Sequence, residues 1–142
     1  MKLDAPFDEE SLEGTRELRL DFAKLVSNGQ NVLPVAVQHA ETGEVILIAY
    51  TNEEAFNKTL AEKKAVFWST SRACLWYKGD GSGNTFSINS IYVNCEQNSL
   101  VYKVTPDKGN ICHVSANGAA LNCFYRKLDL NKHILLSFGD SP

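Results

Sequence analysis

Val32-Leu33-Pro34-Val35-Ala36-Val37-Gln38, the turn Glu41-Thr42-Gly43-Glu44 and the run Val45-Ile46-Leu47-Ile48-Ala49-Tyr50 together decide the class of fold. Both apolar runs are short, rich in β-branched residues and bounded by turn formers, which marks strands rather than helices. With so little chain between them they return on each other as a hairpin. Thr51-Asn52-Glu53-Glu54 then begins a helix, because a short polar side chain caps the first N–H groups and acids sit where the helix dipole favours them. Ala55, Phe56, Thr59 and Leu60 are expected to form its inner face.

Working outward, residues 65–69 predict a third strand. Residues 85–94 and 100–105 predict two more, joined at 96–99, and 123–128 a last one. Residues 80–84 and 106–109 have turn composition. Upstream, 8–27 is expected to hold a short helix, with Leu18, Phe22, Leu25 and Val26 near helical spacing. No repeat, biased segment or linker divides the chain, so residues 1–142 read as a single domain. The class is α+β: strand-rich and mostly antiparallel, since the connections are short.

The 142 residues suffice for a hydrophobic core, and 44% hydrophobic with 22% charged residues is a globular composition. A net charge of -3 argues against a nucleic-acid partner, which needs a basic surplus. No apolar run approaches the roughly 20 residues that cross a bilayer, so no membrane partner is expected. Residues 1–13 are acidic and lack the pattern of a secretory signal, so the expected location is the cytoplasm. In that reducing compartment four cysteines are poor candidates for disulfides. Cys95, Cys112 and Cys123 lie in the last third of the chain and are either metal ligands or inert buried thiols. Cys74, which lacks such companions, reads as a packing residue, and His39 and His133 as polar surface or strand-end residues.

Three segments carry candidate chemistry. In Asn94-Cys95-Glu96-Gln97-Asn98, strand alternation puts Asn94, Glu96 and Asn98 on one face and Cys95 on the other. Two amide oxygens and a carboxylate suit a hard cation such as Mg²⁺, or are simply a polar strand end. Three thiolates around Zn²⁺ would leave a fourth position for water, as a catalytic site needs. His113, beside Cys112, is then a candidate base or an ordinary loop histidine. The third segment runs from Phe67 to Asn84. Ser69, Thr70, Ser71, Arg72 and Lys78, with Ser82, Gly83 and Asn84, offer hydroxyls, cations and glycine backbone to a phosphate. Trp68, Trp76 and Tyr77 could stack on a base, although aromatic residues in strands more often belong to the core. No Walker or Rossmann glycine pattern is present.

Taken together these segments resemble the phosphoribosyl-AMP cyclohydrolase family of histidine biosynthesis. The likeness lies in Leu33–Gln38, Thr42–Val45, Ala49–Ala55, Phe67–Arg72, Leu75–Gly79 and Ser82–Asn84, followed by the cysteine segments in order, and spans about residues 20–126. It implies a zinc-dependent hydrolase that opens the adenine ring of N1-(5-phosphoribosyl)-AMP between N1 and C6. It also implies a homodimer whose Zn²⁺ is held by Cys95, Cys112 and Cys123 drawn from both chains, with His113 as acid/base and Ser69–Arg72 on a phosphate. The family pattern has three aspartates for Mg²⁺ where this chain has Asn94, Glu96 and Asn98. It also has fewer residues between the last two cysteines, with Thr-Gly where Val114-Ser115 stand here. The rival expectations are a paralogue acting on another purine nucleotide, and a non-catalytic zinc-stapled binding protein.

Overall fold

The computed structural model describes residues 13–23, 25–79, 83–108, 115–116, 119–120 and 122–136. Its elements are β1 (Val26–Ser27), β2 (Gln30–Asn31), β3 (Leu33–His39), β4 (Val45–Thr51), α1 (Glu53–Glu62), β5 (Val66–Ser69), β6 (Cys74–Tyr77), β7 (Phe86–Val93) and β8 (Leu100–Pro106). Four two-residue strands follow: β9 (Ser115–Ala116), β10 (Ala119–Ala120), β11 (Lys127–Leu128) and β12 (Leu135–Leu136).

The expected hairpin forms: β3 and β4 pair antiparallel from Leu33↔Thr51 to Gln38↔Val45. Gly43 supplies the positive φ of the turn, and His39 Nδ1 accepts the N–H groups of Glu41 and Thr42. Ile46 is an extra residue opposite the Val37–Gln38 step, and this bulge buries Ile46 and Leu47 consecutively where strict alternation would expose one. The four-stranded sheet has the order β4-β3-β8-β7. Its outer pairs are antiparallel as expected, but β3 and β8 run parallel from Val35↔Leu100 to His39↔Val104. That central pairing joins segments some sixty positions apart, and no local turn signal announces it.

One face of the sheet carries the core. Val35, Val37, Ile46, Leu47, Ala49, Leu100, Tyr102 and Val104 pack with Phe56 of α1, with Ala65 and Phe67 at β5, and with Phe86. The Asn52 side chain caps α1 by accepting the Ala55 N–H at 2.9 Å. Thr59, wholly buried, accepts the Val66 N–H at 3.0 Å and so ties the helix to β5. Leu60, expected inside, is exposed, because the helix lies on the sheet along the Ala55–Phe56–Thr59 stripe alone. Tyr102 is fully buried, and its hydroxyl has no well-formed hydrogen bond among the described residues. Burial pushes its pKa up to about 12, a rise that the Thr51 and Thr59 hydroxyls only partly offset.

Two expectations fail here. The helix over 8–27 does not continue past Gly14 in the described residues: Thr15–Ala23 is irregular, and β1 and β2 form a small hairpin on the left-handed pair Asn28-Gly29. Leu20 and Phe22 still reach the core, from this irregular segment. The strand over 123–128 shrinks to Lys127–Leu128, paired with β12. No helix among the described residues is long and apolar enough to cross a membrane.

Candidate functional site

β5 and β6 form a separate hairpin in the register Val66↔Tyr77 to Ser69↔Cys74. Its turn holds Thr70, Ser71, Arg72 and Ala73, the last at φ 51°. Ser69 Oγ is the centre of that turn, lying 3.3 Å from Ser71 Oγ and accepting the Arg72 backbone N–H at 3.3 Å and its Nε–H at 3.4 Å. Asn28 and Gln30 hold the turn from outside by donating to the Thr70 carbonyl at 2.9 and 2.7 Å, and the Trp68 indole donates to Gln30 Oε1. The structure therefore gathers Ser69, Thr70, Ser71 and Arg72 into one solvent-facing turn of hydroxyls and a guanidinium. Trp76 packs on Phe67 at 5.4 Å, the core role foreseen for such rings. Cys74 is exposed at the edge of this turn, not packed, because the register sets it opposite Ser69 as the last pair before the turn.

Lys78 and Gly79 leave the other end of β6. Three residue steps along the strand put the two ends about 10 Å apart. The Lys78 ammonium lies over the Phe86 ring at 4.5 Å. Gly79 has φ 89°, and a Cβ there would lie 2.3 Å from the Asn84 carbonyl, so only glycine lets these backbones meet. Gly83 donates its N–H to Gly79 O at 2.7 Å, closing the loop. Asn84, buried, accepts the Lys108 N–H on Oδ1 at 3.0 Å. Ser82 lies outside the described residues.

Beside this loop, Asp107 collects three donors: Lys64 Nζ at 2.8 Å, Ser87 Oγ at 2.5 Å and Thr85 Oγ1. These bonds, that from Lys64 foremost, pull its carboxyl down to about 2. Sequence reading missed Asp107, Lys64 and Lys108, since their partners stand some twenty to forty positions away.

The third place is the connection from β7 to β8. Asn94–Ser99 is a loop, so strand alternation does not apply to it; Gln97 takes φ 54°. Asn94, Glu96 and Asn98 nevertheless meet. Asn94 Oδ1 accepts the N–H groups of Asn98 and Ser99 at 2.8 and 2.9 Å, and Asn94 Nδ2 donates to Asn98 Oδ1 at 2.6 Å. Asn98 Nδ2 donates to Glu96 Oε2 at 3.3 Å. The amide oxygens are thus turned onto N–H groups of the same loop, leaving one carboxylate and no open cage of oxygens. That arrangement does not fit a Mg²⁺ site built by protein alone.

Gln97, unremarked in the sequence, is the buried anchor of this loop. It accepts the Arg19 N–H and donates to Glu17 O at 3.0 Å, strapping the N-terminal segment across it. Cys95 is exposed in a cleft of about 260 Å³ that it shares with Arg16, Glu17, Leu18, Val93 and Asn94. Cys123, also exposed, is fixed by its own N–H, which bonds Ile46 O at 3.0 Å on β4. Cys112 and His113 lie outside the described residues. Thiolates are a donor set that selects zinc, and exposure of Cys95 and Cys123 is what ligands shared between chains require. Among the described residues no three of His, Cys, Asp and Glu gather in one place.

A strand-rich α+β scaffold with exposed thiols and a turn of hydroxyls and a guanidinium is the class these features define. The family model of phosphoribosyl-AMP cyclohydrolase matches residues 47–125. The phosphoribosyl-AMP cyclohydrolase of Chlorobium chlorochromatii is 41% identical over 85% of this chain and 82% of its own, and that of Methanosphaera stadtmanae 34% over 81% and 85%. The histidine biosynthesis bifunctional protein HisIE of Staphylococcus epidermidis is 40% identical over 75% of this chain, which spans 48% of that longer protein. The chain belongs to the phosphoribosyl-AMP cyclohydrolase family, a family of enzymes.

Proposed function

We propose that this protein hydrolyses N1-(5-phosphoribosyl)-AMP between N1 and C6 of its adenine ring, a step of histidine biosynthesis. The observation that carries the reading is the extent of likeness to relatives of that name, which covers most of both chains. The two ends of the β5–β6 hairpin add support. The substrate carries two phosphates, and the Ser69–Arg72 turn and the Lys78–Asn84 loop are two separate sets of phosphate donors about 10 Å apart.

In the reaction, water adds at C6, the N1–C6 bond breaks, and the proton taken from water ends on N1, leaving C6 as a carboxamide carbon. Ser69, Ser71 and Arg72 hold one phosphate and the Lys78–Asn84 loop the other, which fixes the ring between them. His113 takes the proton of the attacking water and returns it to N1. Zinc held by Cys95, Cys112 and Cys123 would supply an acidified water, less strongly than a histidine-ligated zinc because thiolates donate more charge. Glu96 supplies the one carboxylate of its loop, so magnesium entering there would come held by the substrate's own phosphates.

The sharing of cysteines asks for a second copy of the chain. The sheet face opposite the core supports this, since Pro34, Ala36, Ile48, Tyr92 and Val101 line an apolar depression of about 290 Å³.

The test is turnover of phosphoribosyl-AMP, followed by the absorbance change of ring opening, with zinc content and sedimentation measured on the same sample. Turnover by a dimer with about one zinc per chain, lost together with zinc in Cys112→Ser, is the expected result. A folded, zinc-loaded dimer without turnover would overturn the reading. The hydrogen-bonded Asn94–Glu96–Asn98 loop favours a different phosphorylated purine in that event.

A further inference from the structure

Resting on that reading, we propose that Asn28 and Gln30 are positioning residues of the substrate site. They orient the Thr70–Ser71 peptide so that the Ser71 N–H joins the donors to a phosphate. The β1–β2 hairpin reverses on Asn28-Gly29, at φ 53° and 74°, a two-residue connection that sets Gln30 opposite Ser27. From there both side chains reach one atom some forty positions on. Asn28 Nδ2 and Gln30 Nε2 donate to Thr70 O at 2.9 and 2.7 Å, one donor for each lone pair of the carbonyl. The Gln30 amide is fully engaged: Nε2 also reaches Asn28 O at 3.4 Å, and Oε1 accepts the Trp68 indole N–H. A flipped amide would set acceptor against acceptor at Thr70 and donor against donor at Trp68, so only one orientation serves.

The consequence lies on the other edge of the same peptide. The peptide bond is trans, so its C=O and N–H point opposite ways across one plane. With Thr70 O drawn to the β1–β2 hairpin, the Ser71 N–H is directed away from that hairpin. It has no acceptor among the described residues, whereas the Arg72 N–H is taken by Ser69 Oγ at 3.3 Å. An oriented backbone N–H thus stands beside the Ser71 hydroxyl and the exposed Arg72 guanidinium. A phosphate gains a charge-assisted bond from the guanidinium and a fixed dipole from the peptide. The Gln30 amide also ties that peptide to the half-buried Trp68, so the ring and the turn cannot reorient separately. Ser71 contacts substrate in this scheme; Asn28 and Gln30 act through Thr70.

The experiment compares wild type, Asn28→Gly, Gln30→Met and the double variant in steady-state turnover of phosphoribosyl-AMP. The same samples are titrated by calorimetry with the two phosphorylated halves of that substrate, AMP and ribose 5-phosphate. Methionine keeps the length of Gln30 and none of its hydrogen bonds. Asn28→Gly removes one donor, and glycine's ease at φ 53° offsets the lost bond, so it should melt within about 2 °C of wild type. One hydrogen bond to a charged group corresponds to about a tenfold change in affinity. The double variant should therefore raise KM about tenfold with kcat within about twofold. It should weaken one half-ligand about tenfold and leave the other unchanged, and each single variant should show part of that loss. An unaltered KM, unaltered binding of both halves, or equal weakening of both would overturn the proposal. If the Gln30 variants do not fold, Asn28→Gly decides by the same criteria. Failure of the wild type to turn over substrate would instead count against the proposed function. The titrations then decide the Asn28 and Gln30 assignment alone, and a wild type that binds neither half refutes it.

Discussion

Asp107→Asn is the perturbation whose size the structure specifies most fully. The carboxyl falls from an ordinary 3.8 to about 2 because it accepts from Lys64, Ser87 and Thr85. That difference corresponds to about 2.4 kcal/mol at about 1.36 kcal/mol per pH unit. The side chain retains 30% of its exposure, so solvent screening reduces the expected contribution to about 1 kcal/mol. The sign follows from which state holds the proton less tightly. The folded state favours the ionised carboxylate, so its contribution is complete above the unfolded value, declines as pH falls from about 4 toward 2, and vanishes below. Asparagine keeps the shape and one acceptor but no charge. Urea unfolding of wild type and variant at pH 7, 4, 3 and 2.5 should show the variant less stable by about 1 kcal/mol at pH 7, or about 3–4 °C in melting temperature. The gap should close steadily below pH 4. A gap that stays constant with pH, or a variant as stable as wild type at pH 7, would refute the account of these three hydrogen bonds.

Gly79→Ala should lower stability by more than about 2 kcal/mol, because a positive φ and a backbone contact at 2.3 Å leave no room for a methyl group. Thermal melting checks this, and a melting temperature within a degree or two of wild type would contradict the loop geometry. Gln97→Ala should cost about 1–3 kcal/mol by orphaning the Arg19 N–H and the Glu17 carbonyl, and should expose residues 15–19 to limited proteolysis. Gln97→Gly should recover about 1 kcal/mol of that loss, since position 97 has φ 54°, while leaving the segment just as cleavable. Unchanged protection in both variants would show that the strap is held by something else.

The local signals in the sequence were enough for the hairpin 33–51, the Asn52 cap and the strand-rich α+β class, because each depends on neighbours within a few residues. The strand 74–77 went unread, and with it the hairpin turn that gathers Ser69–Arg72, although its pairing partner is its immediate neighbour. The combination of short motifs also carried the family. What else the sequence left undecided involves partners far along the chain. The parallel β3–β8 pairing sets the order of the sheet, yet nothing in either strand names the other. Past Gly14 the helix expected over 8–27 gave way to an irregular segment because Leu20 and Phe22 find the core from there and Gln97, about eighty positions on, binds its backbone. The polar trio at 94–98 was expected from strand alternation, but a left-handed Gln97 and a knot of amide hydrogen bonds bring it together. Lys108, Asp107 and Lys64 became visible only when β5, β7 and the end of β8 were side by side. Periodicity and turn chemistry are properties of a few successive residues, and a sequence displays them directly. A charge cluster or a strand order is a relation between distant residues, and only the packing of the core brings them together.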